Sequence, residues 1–237
     1  MKRILMIMIP LLLCGAMLAY AQKPVDLGLP SRTLWANMNV GATTPEEYGD
    51  YYAWGEVKTK RHYGKYSRYQ HYDEIIHKYN YLPIKRSVRD NILILTTDDD
   101  VAIKELGQDW RMPTDVEIEE LLDTSICTFT SCVQNGTKGY IVKNKKIGVG
   151  DSIFLPCAGQ KDYGNYRLFP GTTGYYWSST LAGQDLMSKD LDSIPTKAPR
   201  SAKCLVFGNG VSEMMYVDRT IGCVIRPVYV GKRKRRK

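Results

Sequence analysis

Three histidines, His62, His71 and His77, and a run of three aspartates, Asp98 to Asp100, are the residues of this chain best placed by type to hold a metal or move a proton. A metal site needs convergent His, Cys or carboxylate ligands. The histidines fall in one tyrosine-rich stretch without a metal-ligand motif, so no metal is expected there. The aspartate run has the look of a calcium loop. It directly precedes Val101-Ala-Ile-Lys-Glu-Leu-Gly107, however, and acids at that place suit the positive end of a helix dipole. Nucleophilic chemistry is no better supported. There is no Gly-x-Ser-x-Gly, and no histidine lies outside 62–77 to serve as a base. No catalytic residue and no cofactor are expected.

The six cysteines carry a second possible chemistry. Cys14 lies in the expected leader, which leaves an odd number and at least one free or intermolecular thiol. No CxxC is present. Cys127 and Cys132 would face opposite sides of one continuous strand and could pair only across a turn. Cys157, inside Ile153-Phe-Leu-Pro-Cys-Ala158, reads as a small core residue. Cys204 and Cys223 sit on two late strand candidates and are the more plausible disulfide pair.

The elements that would position these groups start after a leader. Lys2 and Arg3, the apolar run Ile4 to Leu13 and the small residues of Ala19-Tyr-Ala21 predict a signal peptide over 1–21, with the mature chain starting at Gln22. Leu13 before Cys14 argues against a lipoprotein, and no later run is long enough to span a membrane. Export to the periplasm, outer-membrane surface or medium is expected, in a compartment that permits disulfides. Of 33 basic residues, two lie in the leader and six in the tail Lys232–Lys237, which leaves 25 against 25 acids. The body is therefore neutral. Nucleic acid is not an expected partner, and the tail, 231–237, reads as a disordered appendage able to touch anionic surfaces.

Residues 22–230 read as one domain. A helix is predicted over Asp98–Gly107. A second opens on Thr114 as N-cap with Glu117 completing a capping box, and carries an apolar stripe of Val116, Ile118, Leu121 and Leu122. Strands are predicted at Thr33–Ala36, Tyr48–Trp54, Ile153–Pro156, Tyr175–Ser179, Lys203–Phe207, Ser212–Tyr216 and Ile221–Arg226. A hairpin is predicted from Gly139–Val142 and Lys146–Val149 about Lys143-Asn-Lys145. Residues 58–81 form a long aperiodic excursion, a place where function often sits, and 183–202 an exposed loop. Early helices, many short strands and no βαβ alternation argue α+β.

A set of landmarks runs in order along residues 25–229: Asp26-Leu-Gly-Leu, Trp35, Asn39-Val-Gly-Ala42, Gly49-Asp-Tyr-Tyr-Ala-Trp-Gly-Glu56, Trp110-Arg-Met-Pro-Thr, Glu120-Leu-Leu122, Gly136-Thr-Lys-Gly-Tyr140, Phe154-Leu-Pro, Ala158-Gly159, Tyr176-Trp-Ser-Ser179 and Val224-Ile-Arg-Pro-Val228. In this the chain resembles the Fibrobacter succinogenes major paralogous domain (FISUMP) family, especially exported members from gut Bacteroidetes. The resemblance implies a C-type-lectin-like fold related to formylglycine-generating enzymes, with two short helices packed on short, mostly antiparallel strands and long loops. Cys157 and Cys204 depart from the common pattern. A calcium lectin site is not expected, because Trp177-Ser-Ser stands where a carboxylate is needed. An oxidase of the related type would need a reactive cysteine pair. Only Cys204 and Cys223 could supply it, and nothing around them would lower a thiol pKa.

The resemblance transfers a scaffold and little function; with no catalytic or metal site expected and many tyrosines available as contact residues, the expected role is an exported, non-enzymatic binding or adhesion module that recognises a glycan or a host or cell-surface protein. The alternative is a structural surface or fimbria-tip component. Relatives of this fold recognise partners through C-terminal strands and loops, here Asn209–Gly222. Alternation there makes Val211, Met214 and Val217 the inward anchors, with a turn or bulge to allow their spacing. Ser212, Glu213, Tyr216, Asp218 and Arg219 are left as the outward candidate binding residues.

Overall fold

The computed structural model describes residues 22–232 except 74, 82–89, 163–165 and 184–199. The expected leader, most of the basic tail and most of the loop expected at 183–202 lie outside the described residues. In chain order the strands are β1 (Pro24–Asp26), β2 (Leu34–Ala36), β3 (Tyr72–Asp73), β4 (Ile75–Ile76), β5 (Trp110–Arg111), β6 (Cys127–Gln134), β7 (Thr137–Asn144), β8 (Ser152–Pro156), β9 (Gln160–Asp162), β10 (Tyr166–Leu168), β11 (Thr173–Leu181), β12 (Ser201–Gly208), β13 (Val211–Asp218) and β14 (Val228–Tyr229). The helices are α1 (Val101–Leu106) and α2 (Asp115–Leu122). The fold class is α+β with strand predominating.

Both helices start where their caps require. Asp100 caps α1 by accepting from the Ala102 and Ile103 amides, and its second oxygen takes the Met112 amide at 2.9 Å. Asp99 pairs with Lys78 and Asp98 with Lys104, so each acid of the run has a separate local partner. Thr114 and Glu117 form the expected capping box at α2, and Arg111 clamps Glu117 through two bonds of 2.8 and 2.7 Å. The apolar stripe differs at one place. Val116 is 68% exposed, because Asp115 takes the inward position and is held there by Lys203 and Thr180.

The strand pairs are antiparallel. One sheet has the order β1-β2-β14-β5, a second β6-β7-β8 and a third β11-β12-β13. β12 is buried on both faces, which is why it reads as a nearly unbroken apolar run. Leu205 and Phe207 join one core cluster with Trp35, Tyr176 and Leu155. Ala202, Cys204 and Val206 point the other way, into a cluster with Trp54, Trp177 and Tyr79. Arg226, 1% exposed, ties separate parts of the chain through Asn39, the Ala36 carbonyl and the Phe154 carbonyl.

Three expectations are corrected. The hairpin turns at Asn135-Gly136 between β6 and β7, not at 143–145. Both turn residues have positive φ, 47° and 83°, as an Asn-Gly hairpin turn demands. β7 then runs through Asn144, and 146–149 is loop. Tyr48–Trp54 and Ile221–Arg226 are irregular rather than strands. They meet through a bridge between Tyr52 and Cys223, and Val224 bridges Tyr176 on β11. Four tyrosines of the excursion are core: Tyr63, Tyr69, Tyr79 and Tyr81 are at most 3% exposed. Its phenols replace a ladder. Tyr63 donates to the Tyr51 carbonyl, Tyr69 to the Trp54 carbonyl, and Tyr51 to the Ala158 carbonyl. Irregular backbone can be buried only if its polar groups find such partners.

Candidate recognition surface

β13 is the outer strand of its sheet among the described residues, and its ladder with β12 is continuous from Ser201↔Asp218 to Gly208↔Val211. No bulge is present. Cross-strand partners share a face, so the register decides which candidate residues can act together. Ser212, Tyr216 and Asp218 stand opposite Phe207, Lys203 and Ser201. Glu213 stands opposite Val206, on the other face. Met214 and Val217 pack against different core clusters, and Val211, expected as an inward anchor, is 50% exposed.

Arg219 is the clearest correction. It is fully buried. Its guanidinium donates to the Lys78 and Tyr79 carbonyls and lies 5.1 Å over the Trp54 ring. The cause is local. Asp218 accepts from both the amide and the hydroxyl of Thr220, at 2.9 and 2.7 Å, and this tight turn swings Arg219 into the core. Asp218 is half-buried and occupied by that turn. Tyr216, 52% exposed, and Glu213 and Ser212, both exposed, remain on the surface but on opposite faces.

The face that carries Glu213 holds an aromatic pair the sequence reading did not single out. Phe169 is 54% exposed and stacks on Tyr175, with centroids 6.5 Å apart and planes at 28°. Tyr175 pairs with Val206, which pairs with Glu213, so one row crosses the sheet from aromatic pair to carboxylate. Exposed Met215, 43%, and Val211 extend the same face. Phe169 adopts φ 61°, a conformation bulky side chains rarely take. The turn that imposes it is tied down: the Thr172 and Thr173 amides and the Thr172 hydroxyl all donate to the Phe169 carbonyl. The sequence signal was Pro170-Gly171, a turn dipeptide that throws the preceding side chain outward. Burial raises the Tyr175 phenol above its usual pKa, so it is a neutral hydrogen-bond donor.

The groups with chemical potential are instead committed to the interior. Lys203 and Asp115, each under 10% exposed, pair at 2.7 Å, and the Thr180 hydroxyl donates to the same carboxylate at 2.8 Å. Burial opposes the charge on Asp115, but the Lys203 and Thr180 bonds outweigh it and hold the carboxyl below its usual range. His71 is buried, its Nε2 3.0 Å from the Gly55 carbonyl, and burial pushes its pKa down. His62 and His77 are exposed. Among the described residues, no group of three or more His, Cys, Asp or Glu could hold a metal ion.

The five cysteines among the described residues are free thiols, so the pairing expected for Cys204 and Cys223 is not formed. β11 lies between them, since Trp177 pairs with Cys204 and Tyr176 bridges Val224. The two thiols are nonetheless neighbours in the core, unbonded. Burial and the neighbouring Cys204 thiol push Cys223 well up, and burial pushes Cys127 and Cys157 to about 11.

No family model matches this chain, and neither a curated protein nor a solved structure matches it.

Proposed function

We propose that this chain is an exported, non-enzymatic binding module of FISUMP type, with a C-type-lectin-like fold, that recognises a glycan at the margin of the β11–β12–β13 sheet where Phe169, Tyr175 and Glu213 reach the surface. The observation that carries the reading is exposed Phe169 stacked on half-buried Tyr175, in one cross-sheet row with Glu213. An aromatic face covers the apolar face of a sugar ring, and a carboxylate accepts from its hydroxyls. Binding sites commonly combine such apolar area with a few placed polar groups. The strained φ of Phe169 supports a role beyond packing, because strain of this kind concentrates at functional sites.

A non-catalytic role is supported by where the reactive groups lie. Thiols at pKa about 11 are poor nucleophiles at neutral pH. Lys203, Asp115 and His71 are buried, and each already has a partner. The second reading, a structural surface or fimbria-tip component, is favoured by the long outer strand β13 with exposed Val211, Met215 and Tyr216, since a strand edge can accept a partner strand.

The test is a glycan array with the wild type and with Phe169→Ala and Glu213→Gln, each checked for an unchanged melting curve. A saturable sugar signal that both variants lose supports the platform. An undiminished signal in Phe169→Ala rejects it. A silent array combined with β13-dependent assembly favours the structural component.

A further inference from the structure

The loop joining β7 to β8 presents a fully exposed isoleucine, Ile147 at 100%. A side chain added at the next residue, Gly148, would meet nothing within 4 Å. The tip therefore projects from the body. Lys143, Lys145 and Lys146 are exposed beside it, and none is ion-paired among the described residues. The nearby carboxylates are Asp151, exposed in the same shallow cleft, and Asp123, which feels the Lys145 charge. Positive charge is in excess at the tip.

Single exposed apolar residues are ordinary. This one stands on a loop whose base is fixed. The Lys145 amide donates to the Ile126 carbonyl at 2.8 Å, and the Asp151 amide to the Asp26 carbonyl at 2.7 Å. Asn144 closes onto the Gly28 carbonyl at 3.0 Å. Gly150 backs onto Leu27 so closely that a Cβ there would lie 2.2 Å from the Leu27 carbonyl carbon. Val149, next but one to Ile147, is turned inward over Gly28. The fold thus holds an apolar point ringed by cations in a preset shape, which lowers the ordering cost of binding.

We propose that this loop is a membrane-surface anchor: Ile147 enters the headgroup boundary of an anionic phospholipid surface while Lys143, Lys145 and Lys146 pair with its phosphates. Apolar insertion plus attraction of lysines to anionic lipid is the established physics of interfacial binding. It would orient the module on a surface independently of the glycan platform and of the basic tail.

The full chain is tested on vesicles of phosphatidylglycerol and phosphatidylcholine, and on phosphatidylcholine alone. Lysine attraction amounts to roughly fivefold in partitioning per residue, so Lys143→Gln/Lys145→Gln/Lys146→Gln should weaken binding to the anionic vesicles roughly a hundredfold. Ile147→Ser should weaken it roughly tenfold. The tail is separated by Ile147→Trp. The native tryptophans, Trp35, Trp54, Trp110 and Trp177, are all buried, so the introduced indole alone should shift blue and resist quenching on anionic vesicles. An indole that stays solvent-like while the protein pellets would mean adsorption by the tail and would overturn the anchor. So would equal partitioning to both vesicles, an unaffected triple-lysine variant, or release by millimolar inorganic phosphate, which would indicate a soluble-anion site.

Discussion

Replacing Lys203 by Met should cost about 3–5 kcal/mol, the range for breaking a buried pair and stranding its partner. Lys203 and Asp115 have side-chain exposures of 7% and 11%, so solvent cannot take over the lost bond. The Met side chain fills nearly the same volume, and packing loss contributes little. Asp115 would keep its bond from Thr180 but lose its counter-charge at the first turn of α2. For a domain of this size each kcal/mol moves Tm by about 2–4 °C, so the melting midpoint should fall by roughly 6–20 °C. Asp115→Asn alone should also destabilise, by removing the ammonium's counter-charge. The double variant, Lys203→Met with Asp115→Asn, removes both charges and should be more stable than the sum of the singles predicts. Urea unfolding of the four proteins at neutral pH reads this out. Additive losses, or a Lys203→Met midpoint within experimental error of wild type, would refute the claim that the pair is a coupled buried unit.

His71 has a folded pKa below its unfolded value of 6.5. Its neutral form contributes stability that is present above pH 6.5 and lost as pH falls through that value, at up to about 1.4 kcal/mol per pH unit. Urea titrations between pH 7.5 and 5 should therefore converge with those of His71→Gln at the acid end, and parallel curves would reject the assignment. Trp177→Ala should cost about 3–5 kcal/mol, since the ring is fully buried and its Nε1 donates to the Tyr52 carbonyl; an unchanged melt would sink this. Thr114→Ala should cost about 1 kcal/mol through the lost cap of α2, measured the same way. In a protein of residues 22–237, native thiol titration should find rapid reaction only at half-buried Cys132, while the denatured protein should show five thiols. Linkage of Cys204 to Cys223 in a non-reducing peptide map would contradict the free-thiol arrangement.

The parts legible in the sequence were those fixed by local chemistry. Thr114 and Glu117 announce a capping box from their spacing alone, and Asp98–Asp100 announces a helix start. β12 was visible because burial on both faces leaves an apolar run. The hairpin was misplaced because Lys143-Asn-Lys145 drew attention from Asn135-Gly136, the pair with the required positive φ. Arg219 could not be placed by alternation, since the Asp218–Thr220 turn ends the strand one residue earlier. The tyrosine excursion has no period because its phenols bond to backbone far along the chain, as Tyr66 does to the Arg200 carbonyl. The Phe169–Tyr175 platform depends on a turn and a sheet register together, and neither alone marks it.

β14 sits between β2 and β5, with Val228 opposite Trp35 on one side and Arg111 on the other. The first sheet of the domain thus has no middle until Val228 and Tyr229 have been made. A ribosome releasing this chain from the N-terminus exposes β1, β2 and β5 long before the strand that joins them exists. The same arrangement makes the domain intolerant of early stops: a chain ending before Val228 loses the seam of its first sheet, whatever the quality of the rest.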